Sequence, residues 1–343
     1  MKPSLTRMLT VFVAMTALMY CGPLVRAEAK AENYVSYVGA DWGPDGDTIY
    51  FLKQMRGATG SGIWFCKMNW DGSQKQEIAQ LWPGQDVYID TQNGPVWMDA
   101  NAAISNVAFD AEFGLGTVGI WVMGLDGKNL HKPFDPVWND KEHEHVLHPS
   151  WSPDGSKIVY CKDTRELGIF DLKTKNRTKL TDGPHDEHPT WSPKGDWIAF
   201  THNRYDNADK AYTDRRIWLI RPDGSEQKPV VDEKNQPIFG WWPSWSPDGT
   251  KVAINAGGLA IAGLVSNRVE YVDPLPILGE RLPYTFMAHH SGKRGWLLTN
   301  GGAVRVIDVT TMRGRLLAAG GTYDAISNRW GAVARDIPRR NGN

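Results

Sequence analysis

Four histidines occupy matching places in two neighbouring segments, and they are the residues of this sequence best suited to chemistry. His145 and His148 lie three residues apart, as do His185 and His188, and each pair is followed by a proline. Imidazole binds divalent zinc, manganese or iron with help from carboxylates, and it titrates near neutral pH. If the four rings converge, they predict a site for a divalent metal, Mn or Zn, or a general acid and base.

The same positions also allow a purely structural interpretation. Trp242 takes the place of His148 in a later copy of the motif, so the motif does not require histidine there. Residues three apart on a strand also point to opposite faces of the sheet. Half-buried, hydrogen-bonded histidines are therefore the alternative, and no cofactor is then expected. If the protein is an enzyme, the catalytic candidates are His145, His185 and Arg215, with Arg215 pairing a substrate carboxylate.

A second set of candidates could bind a ligand without catalysis. Trp241 and Trp242 are adjacent, and His289 and His290 fall near the corresponding point of a last, degenerate copy of the motif. Exposed aromatic rings beside polar groups would stack on a sugar ring or a peptide. Packing within a loop is the alternative for these tryptophans.

The elements that must position these residues follow from an internal repeat, which is sought before any other pattern. Three copies of an eight-residue motif read His-Pro-Ser-Trp-Ser-Pro-Asp-Gly, with small variations, and the other copies are degenerate. Each copy precedes a β-rich run, a second such run that often ends in Asp-Gly, and a polar run, which predicts four antiparallel strands. The motif tryptophans are Trp42, Trp97, Trp151, Trp191 and Trp245.

One four-stranded sheet cannot bury both of its faces, whereas radial packing of several such sheets does so. The repeat therefore predicts an all-β protein, a β-propeller of four-stranded antiparallel blades, with six blades favoured and seven allowed. The whole of residues 33–336 is expected to be one domain, followed by a disordered end at residues 337–343. The chain has 16 tryptophans, and those in register are expected to pack between blades.

The first 27 residues have the pattern of an export signal. Lys2 and Arg7 precede an apolar run that ends at Tyr20, and small residues occur near Ala27. The run is too short for a transmembrane helix, and no membrane span is expected elsewhere. A lipid anchor on Cys21 is disfavoured because bulky Tyr20 precedes it. The protein is therefore expected in the periplasm or outside the cell.

Two cysteines remain after the predicted cleavage, and both lie in apolar runs predicted to be strands. Cys66 and Cys161 are expected to be buried free thiols, with a single disulfide as the alternative.

The repeated motif, with the strand that follows it, resembles the TolB-type or PD40 (WD40-like) β-propeller repeats of exported bacterial proteins. The resemblance extends from about residue 35 to residue 300. It departs from TolB itself, because TolB has an α/β domain before its propeller and the first blade here begins close to the predicted cleavage site. The resemblance implies fold and export, and it leaves a partnership with the Tol-Pal system open.

Propellers of this family serve as binding platforms, as lids of peptidases and as lyases, and fold alone does not decide among these. A hydrolase is set aside because the Gly-x-Ser-x-Gly motif is absent. A net charge of −1 argues against nucleic acid as a partner. The sequence favours a monomeric, non-catalytic scaffold that binds an envelope protein or an oligosaccharide at the channel face. The alternative is a metal-dependent polysaccharide lyase resembling oligogalacturonate lyases and using the histidine cluster.

Overall fold

Strands are the regular elements of the computed structural model, which contains no helix among the residues it describes. These are residues 34–56, 62–82, 98–113, 117–137, 144–183, 185–206, 211–256, 258–272, 287–290, 296–300, 303–308, 313–319, 321–322 and 335–337. Over these ranges, no segment qualifies as a membrane-spanning helix. The predicted export signal at residues 1–27, with Cys21, lies outside the described residues.

Six antiparallel sheets follow one another along the chain. Sheet 1 contains β1 (Tyr34–Trp42), β2 (Thr48–Arg56), β3 (Gly62–Asn69) and β4 (Gln76–Leu81). Sheet 2 contains β5 (Met98–Asn101), β6 (Asn106–Phe113) and β7 (Thr117–Gly124). Sheet 3 contains β8 (Val146–Trp151), β9 (Lys157–Lys162), β10 (Glu166–Asp171) and β11 (Arg177–Lys179).

The second half of the ring repeats this order. Sheet 4 contains β12 (Asp186–Trp191), β13 (Ile198–Asp206), β14 (Ala211–Ile220) and β15 (Gln227–Pro229). Sheet 5 contains β16 (Trp241–Trp245), β17 (Lys251–Asn255), β18 (Leu259–Gly263) and β19 (Val269–Val272). Sheet 6 contains β20 (Met287–His290), β21 (Trp296–Asn300), β22 (Ala303–Asp308), β23 (Arg313–Ala319) and β25 (Arg335–Ile337), while β24 (Gly321–Thr322) pairs with β1.

The prediction of six or seven four-stranded blades is wrong, because among the described residues five sheets have four or more strands. Sheet 2 has three strands among the described residues. The segment after it contains two prolines, which cannot donate a backbone hydrogen bond to a fourth strand. A single bridge between Val122 and His131 extends the sheet. Phe134 then packs on Phe170 of sheet 3, with ring centroids 4.6 Å apart.

Apolar side chains between neighbouring sheets form the core. Phe109 of sheet 2 packs in one cluster with Leu52 of sheet 1, and similar clusters join sheet 2 to 3, 3 to 4 and 4 to 5. Val304 and Leu317 of sheet 6 pack in a cluster with Val35 of sheet 1. The last sheet therefore returns to the first, and the ring closes as a β-propeller.

The first strand of each sheet contacts the first strands of both neighbouring sheets. The six first strands, β1, β5, β8, β12, β16 and β20, consequently surround the axis of the ring, and we call them the inner strands. The first half of the repeated motif, up to its tryptophan, lies on these strands in sheets 3, 4 and 5, and the second half forms the turn that follows.

A belt of hydrogen bonds joins successive inner strands, and it explains which residue types precede the motif tryptophan. The backbone N–H of Trp151 donates to Asp99 Oδ2 at 2.7 Å, and that of Trp191 donates to Ser150 Oγ at 3.0 Å. The Ala100 N–H donates to Asp41 Oδ2 at 2.8 Å. A short side chain with an acceptor oxygen thus occupies this place in sheets 1, 2 and 3.

The belt also corrects the register of the second repeat. Ala100, and not Trp97, occupies the place that Trp151 and Trp191 fill, because its N–H makes the same bond to the preceding sheet. Trp97 itself lies outside the described residues. The tryptophans Trp42, Trp151, Trp191 and Trp245 are buried, which agrees with the predicted packing between blades.

Candidate functional site

His148 and His188 occupy equivalent β-bulges on two adjacent inner strands. The register shifts between Leu147 and Ser150 in sheet 3, and an equivalent shift occurs in sheet 4. At the bulge, His148 has a φ of 53° and His188 a φ of 54°. Trp242 has the same φ of 54° in sheet 5, so it fills the histidine place as the sequence predicts.

The left-handed conformation is uncommon for residues of this size and must be held by surrounding contacts. The N–H of His148 donates to Asp110 Oδ2 at 2.9 Å, and the N–H of Trp242 donates to Thr201 Oγ1 at 3.2 Å. Each acceptor belongs to the preceding sheet. The bulges therefore turn their side chains into fixed positions relative to the neighbouring blade.

The side chains at the bulges form a continuous row. The His148 and His188 rings lie 4.4 Å apart between centroids, and the His188 ring meets that of Trp242 edge-on at 5.3 Å. Trp241 and Trp242 form a buried pair with centroids 6.1 Å apart. We call this end of the channel the histidine end.

Burial keeps both histidines of the row in their neutral form at neutral pH. It lowers the pKa of His148 to about 3. It also lowers the pKa of His188 well below the ordinary value, and His148 and Arg215 lower it further. A neutral imidazole of this kind cannot donate a proton as a general acid near pH 7.

The other two predicted metal ligands do not join the row. His145 Nδ1 accepts a hydrogen bond from the Val118 N–H at 3.3 Å, and His185 Nδ1 lies 3.2 Å from the Thr164 carbonyl oxygen. In the part of the chain that the structure describes, no three His, Cys, Asp or Glu side chains form a group that could hold a metal ion. The described residues thus do not fit a four-histidine metal site, and no metal-dependent step can be derived for them.

The predicted ligand-binding tryptophans are buried, not exposed. Trp241 is 3% exposed and Trp242 is 7% exposed, because both lie on inner strand β16. Trp241 nevertheless supports two partly exposed neighbours. Phe239 is 45% exposed and meets the Trp241 ring edge-on at 5.8 Å. The guanidinium carbon of Arg215 lies 5.0 Å from the centroid of the same ring.

The pairing of β20 with β21 gives the register of His289 and His290. In β20, His290 pairs with Trp296 and His289 with Leu297. Trp151 and Ser150 make the corresponding pairs with β9. The two histidines are therefore equivalent to the tryptophan of the motif and the residue before it, and not to His148.

A cavity of about 380 Å³ opens at the opposite end of the inner strands. Five different sheets contribute equivalent residues to its wall, so the cavity lies on the ring axis. We call this the aspartate end. The belt residues that line it are Asp41, Asp99, Ser150, Thr190 and Ser244. Prolines of the motif turns line it as well: Pro44, Pro153, Pro193 and Pro247.

Sequence reasoning missed several polar residues in these regions. Asp41 and Asp99 precede the motif tryptophan or its equivalent, and an acidic side chain at that repeated place was the available signal. His202 lies on β13 with Nδ1 2.6 Å from Asp186 Oδ1, and the Asp186 side chain is fully buried. Because His202 is not in the repeated motif, only the strand pairing brings it beside Asp186.

Sequence comparison finds one short similarity. No protein-family model matches the chain. A stretch of 39 residues, 10% of this chain, is 49% identical to part of a protein TolB homolog from Protochlamydia amoebophila. The match spans only 8% of that homolog, so it does not extend to the whole protein.

Solved structures are similar to this chain at low sequence identity. The tricorn protease structure is 12% identical with a TM-score of 0.52, covering 85% of this chain and 27% of the protease. The structure of a TolB from Agrobacterium tumefaciens is 15% identical with a TM-score of 0.48, covering 86% of this chain and 92% of that one.

Proposed function

Because the chain is built from TolB-type propeller repeats, we propose that it is an exported, non-catalytic binding protein that captures an acidic protein segment or an acidic glycan at the histidine end. It acts as a monomer in the periplasm or outside the cell. The charged start and apolar run within residues 1–27 support export.

The observation that carries the proposal is the platform formed by Phe239 and Arg215 on the buried Trp241. An aromatic ring that is 45% exposed and a guanidinium share one rigid support, with centroid distances of 5.8 Å and 5.0 Å. The ring would stack on a sugar or a peptide side chain, and the guanidinium would bind a carboxylate in a bidentate manner. Preorganised anchors of this kind reduce the entropy cost of binding.

The chemistry of the row supports binding over catalysis. His148 and His188 are neutral and packed against each other, and His145 and His185 bond to the backbone of other segments. A carboxylate ligand at Arg215 therefore has no charged histidine of the row beside it. The row thus offers no imidazolium that could protonate a leaving group, which favours a ligand that is held over one that is turned over.

Calorimetric titration with trigalacturonate and with a short acidic peptide amide tests the proposal. We expect Arg215→Ala and Phe239→Ala each to weaken the binding of the ligand about tenfold, since each removes one anchor worth about 1.4 kcal/mol. Tyr271→Ala is the matched control, because Tyr271 is 70% exposed on the outer strand of sheet 5. Ultraviolet absorbance of an unsaturated uronate product would instead support the lyase and overturn the non-catalytic function. Equal binding by all variants would also contradict the proposal.

A further inference from the structure

A cavity of about 490 Å³ lies between sheets 3 and 4, and we call it the lateral groove. Its inner part is lined by the turns that follow β8 and β12, and it shares Pro153 and Trp191 with the axial cavity. Ile169 of β10 and Thr178 of β11 continue the wall toward the outer edge of sheet 3, and Pro222 faces them from sheet 4. The groove therefore extends outward from the channel, between the two blades.

The indole N–H of Trp191 is a buried donor at this groove. Trp191 is 8% exposed, and its Nε1 has no hydrogen-bond partner among the described residues. A β-carbon placed on Gly195 would lie 4.0 Å from this nitrogen and 3.7 Å from Pro153 Cδ. Gly195 and Pro153 both line the lateral groove, so the nitrogen edge of the indole lies at its wall.

The equivalent tryptophan of the next sheet has an acceptor within the fold. Trp245 Nε1 donates to the Thr190 carbonyl oxygen of sheet 4 at 3.0 Å. Trp151 Nε1 also lacks a partner in the described part of the chain, but Trp151 is not among the described residues that line the lateral groove. A buried donor without an acceptor costs free energy, which an acceptor on a ligand restores. Trp191 is thus a donor that a ligand in the groove would use.

The charged groups beside the β8–β9 turn are already bonded within sheet 3. Asp154 accepts hydrogen bonds from the Ser152 hydroxyl at 2.6 Å and from the Ser156 N–H at 3.0 Å. These bonds hold the pKa of Asp154 below its usual value, with the Ser152 hydroxyl as the largest cause. Lys157 forms an ion pair with Asp171. Neither Asp154 nor Lys157 therefore sets the charge that a ligand must bring.

Lys194 supplies the charge that remains at the groove. It lies in the exposed turn after β12 and forms no ion pair with the described residues. Its charge reaches the next sheet, where the pKa of Asp248 is lowered to about 2, mainly by the Ser246 hydroxyl and in smaller part by Lys194. A neutral indole N–H and an ammonium group are both donors. A carboxylate is the ligand group that suits the two together.

The shape and the apolar part of the wall favour a peptide over a sugar. From the inner strand to the outer strand β11 the groove crosses three strand spacings, or about 14 Å, which four extended residues span. Pro153, Ile169 and Pro222 present aliphatic surface to such a chain. A sugar ring stacks on the open face of an aromatic ring, whereas buried Trp191 offers only its edge.

We infer that the lateral groove binds an extended peptide segment through the carboxylate of an acidic side chain, which accepts the Trp191 indole N–H and pairs with Lys194. Charge-assisted bonds of this kind are about twice as strong as neutral ones. Phe239 and Arg215 do not belong to the described lining of the groove, so the inference does not depend on the proposed function.

Three tetrapeptides test the source of the carboxylate. N-acetyl-Ala-Glu-Ala-Ala amide has an acidic side chain, its glutamine twin is neutral, and N-acetyl-tetraalanine with a free C-terminus has only the terminal carboxylate. The reporter is the indole proton signal of Trp191 in protein labelled with nitrogen-15 tryptophan, identified by sequential assignment. A hydrogen bond to a carboxylate deshields this proton, so the glutamate peptide should move the signal downfield. The Trp245 signal should stay in place, because its N–H already has an acceptor.

The glutamate peptide should bind at least about tenfold more tightly than its glutamine twin. Lys194→Gln should weaken it about threefold, since the lysine is exposed, and Lys234→Gln, in another exposed turn of sheet 4, is the matched control. Arg215→Ala should give the same movement of the Trp191 signal as the wild type. Failure of the lateral groove and failure of the proposed function are therefore distinguishable.

Four outcomes would each overturn the inference. The glutamine twin binds as tightly as the glutamate peptide, or the Trp191 signal stays in place at millimolar concentrations of the glutamate peptide. The free C-terminus or trigalacturonate moves the Trp191 signal at lower concentration than the glutamate peptide, which would assign the groove to a chain terminus or to a glycan. Lys194→Gln binds the glutamate peptide as tightly as Lys234→Gln does.

Discussion

Acid should destabilise this propeller through the buried histidine pair at the histidine end. His148 and His188 are neutral in the fold, whereas in the unfolded chain each titrates at about pH 6.5. Their folded pKa values are lowered, that of His148 to about 3. The unfolded state therefore binds more protons below pH 6.5, and stability is retained above this value and lost as pH falls toward 3.

The magnitude follows from the gap between the unfolded pKa and the working pH. At about pH 5, each histidine that must stay neutral costs roughly 1.36 kcal/mol times 1.5 pH units, or about 2 kcal/mol, and the pair costs about 4 kcal/mol. A marginally stable domain has only about 5–15 kcal/mol in total, so the effect is large enough to measure.

The double variant His148→Asn/His188→Asn isolates this contribution. Asparagine does not titrate, and it tolerates the φ values of 53° and 54° at the two bulges better than most residues. Urea unfolding of the wild type and variant near pH 7.5 and pH 5 should show that the variant loses about 4 kcal/mol less. His131→Asn changes an exposed histidine and is the control. If the variant and the wild type lose the same free energy on acidification, the pair is not neutral in the fold and the reasoning fails.

Two further results are expected from buried groups outside the channel. Glu144→Gln should lower the free energy of unfolding in urea by about 3 kcal/mol, because it leaves Arg177 without its buried carboxylate partner, which accepts two hydrogen bonds. Glu226→Gln should lower it by under about 1 kcal/mol, because the ion pair of Glu226 is exposed. Similar losses for both variants would contradict the role of burial. Cys66 and Cys161 should not react with a thiol reagent at pH 8 until the protein unfolds, since burial raises the pKa of Cys66 to about 12 and that of Cys161 well above its ordinary value. Rapid labelling of the native protein would refute this.

The architecture could be predicted from the sequence because its signals are local. Asp-Gly pairs mark hairpin turns where glycine needs positive φ, and Gly72, Gly127 and Gly224 have φ values of 80°, 79° and 77°. The prediction that Cys66 and Cys161 are free and buried is also confirmed. Motif copies with strong local patterns are placed correctly on the inner strands.

The predictions of register and of strand number were wrong where a contact between residues far apart in the sequence decides the structure. Trp97 resembles a motif tryptophan in its local sequence, but Ala100 takes that place because its N–H bonds to Asp41 of another sheet. Among the described residues, sheet 2 has no fourth strand where a proline-containing segment follows it, and Phe134 of this segment packs on sheet 3. Neither effect is visible in a window of neighbouring residues.

The histidines show the same limit at the candidate site. Alignment of the repeats correctly equates His148 with His188, yet it also equates His145 with His185 and so suggests four converging rings. The bulge decides which pair enters the channel: it inserts one residue into the strand and turns the residue before proline toward the neighbouring blade. Equivalent residues in consecutive blades meet only if the local backbone aims them along the ring.

The aspartates that precede the motif tryptophan, or its equivalent, both join neighbouring sheets and line the axial cavity. Asp99 holds the N–H of Trp151 in the next sheet and also gives charge to the axial cavity. Loss of its oxygens would weaken the contact between sheets, whereas loss of its charge alone would change only the electrostatics of the cavity. A serine, threonine or aspartate before the motif tryptophan can accept the hydrogen bond from the next sheet equally well, since each has an acceptor oxygen in its side chain. Only aspartate also brings a carboxylate to the wall of the axial cavity, and it does so in two adjacent sheets, at Asp41 and Asp99.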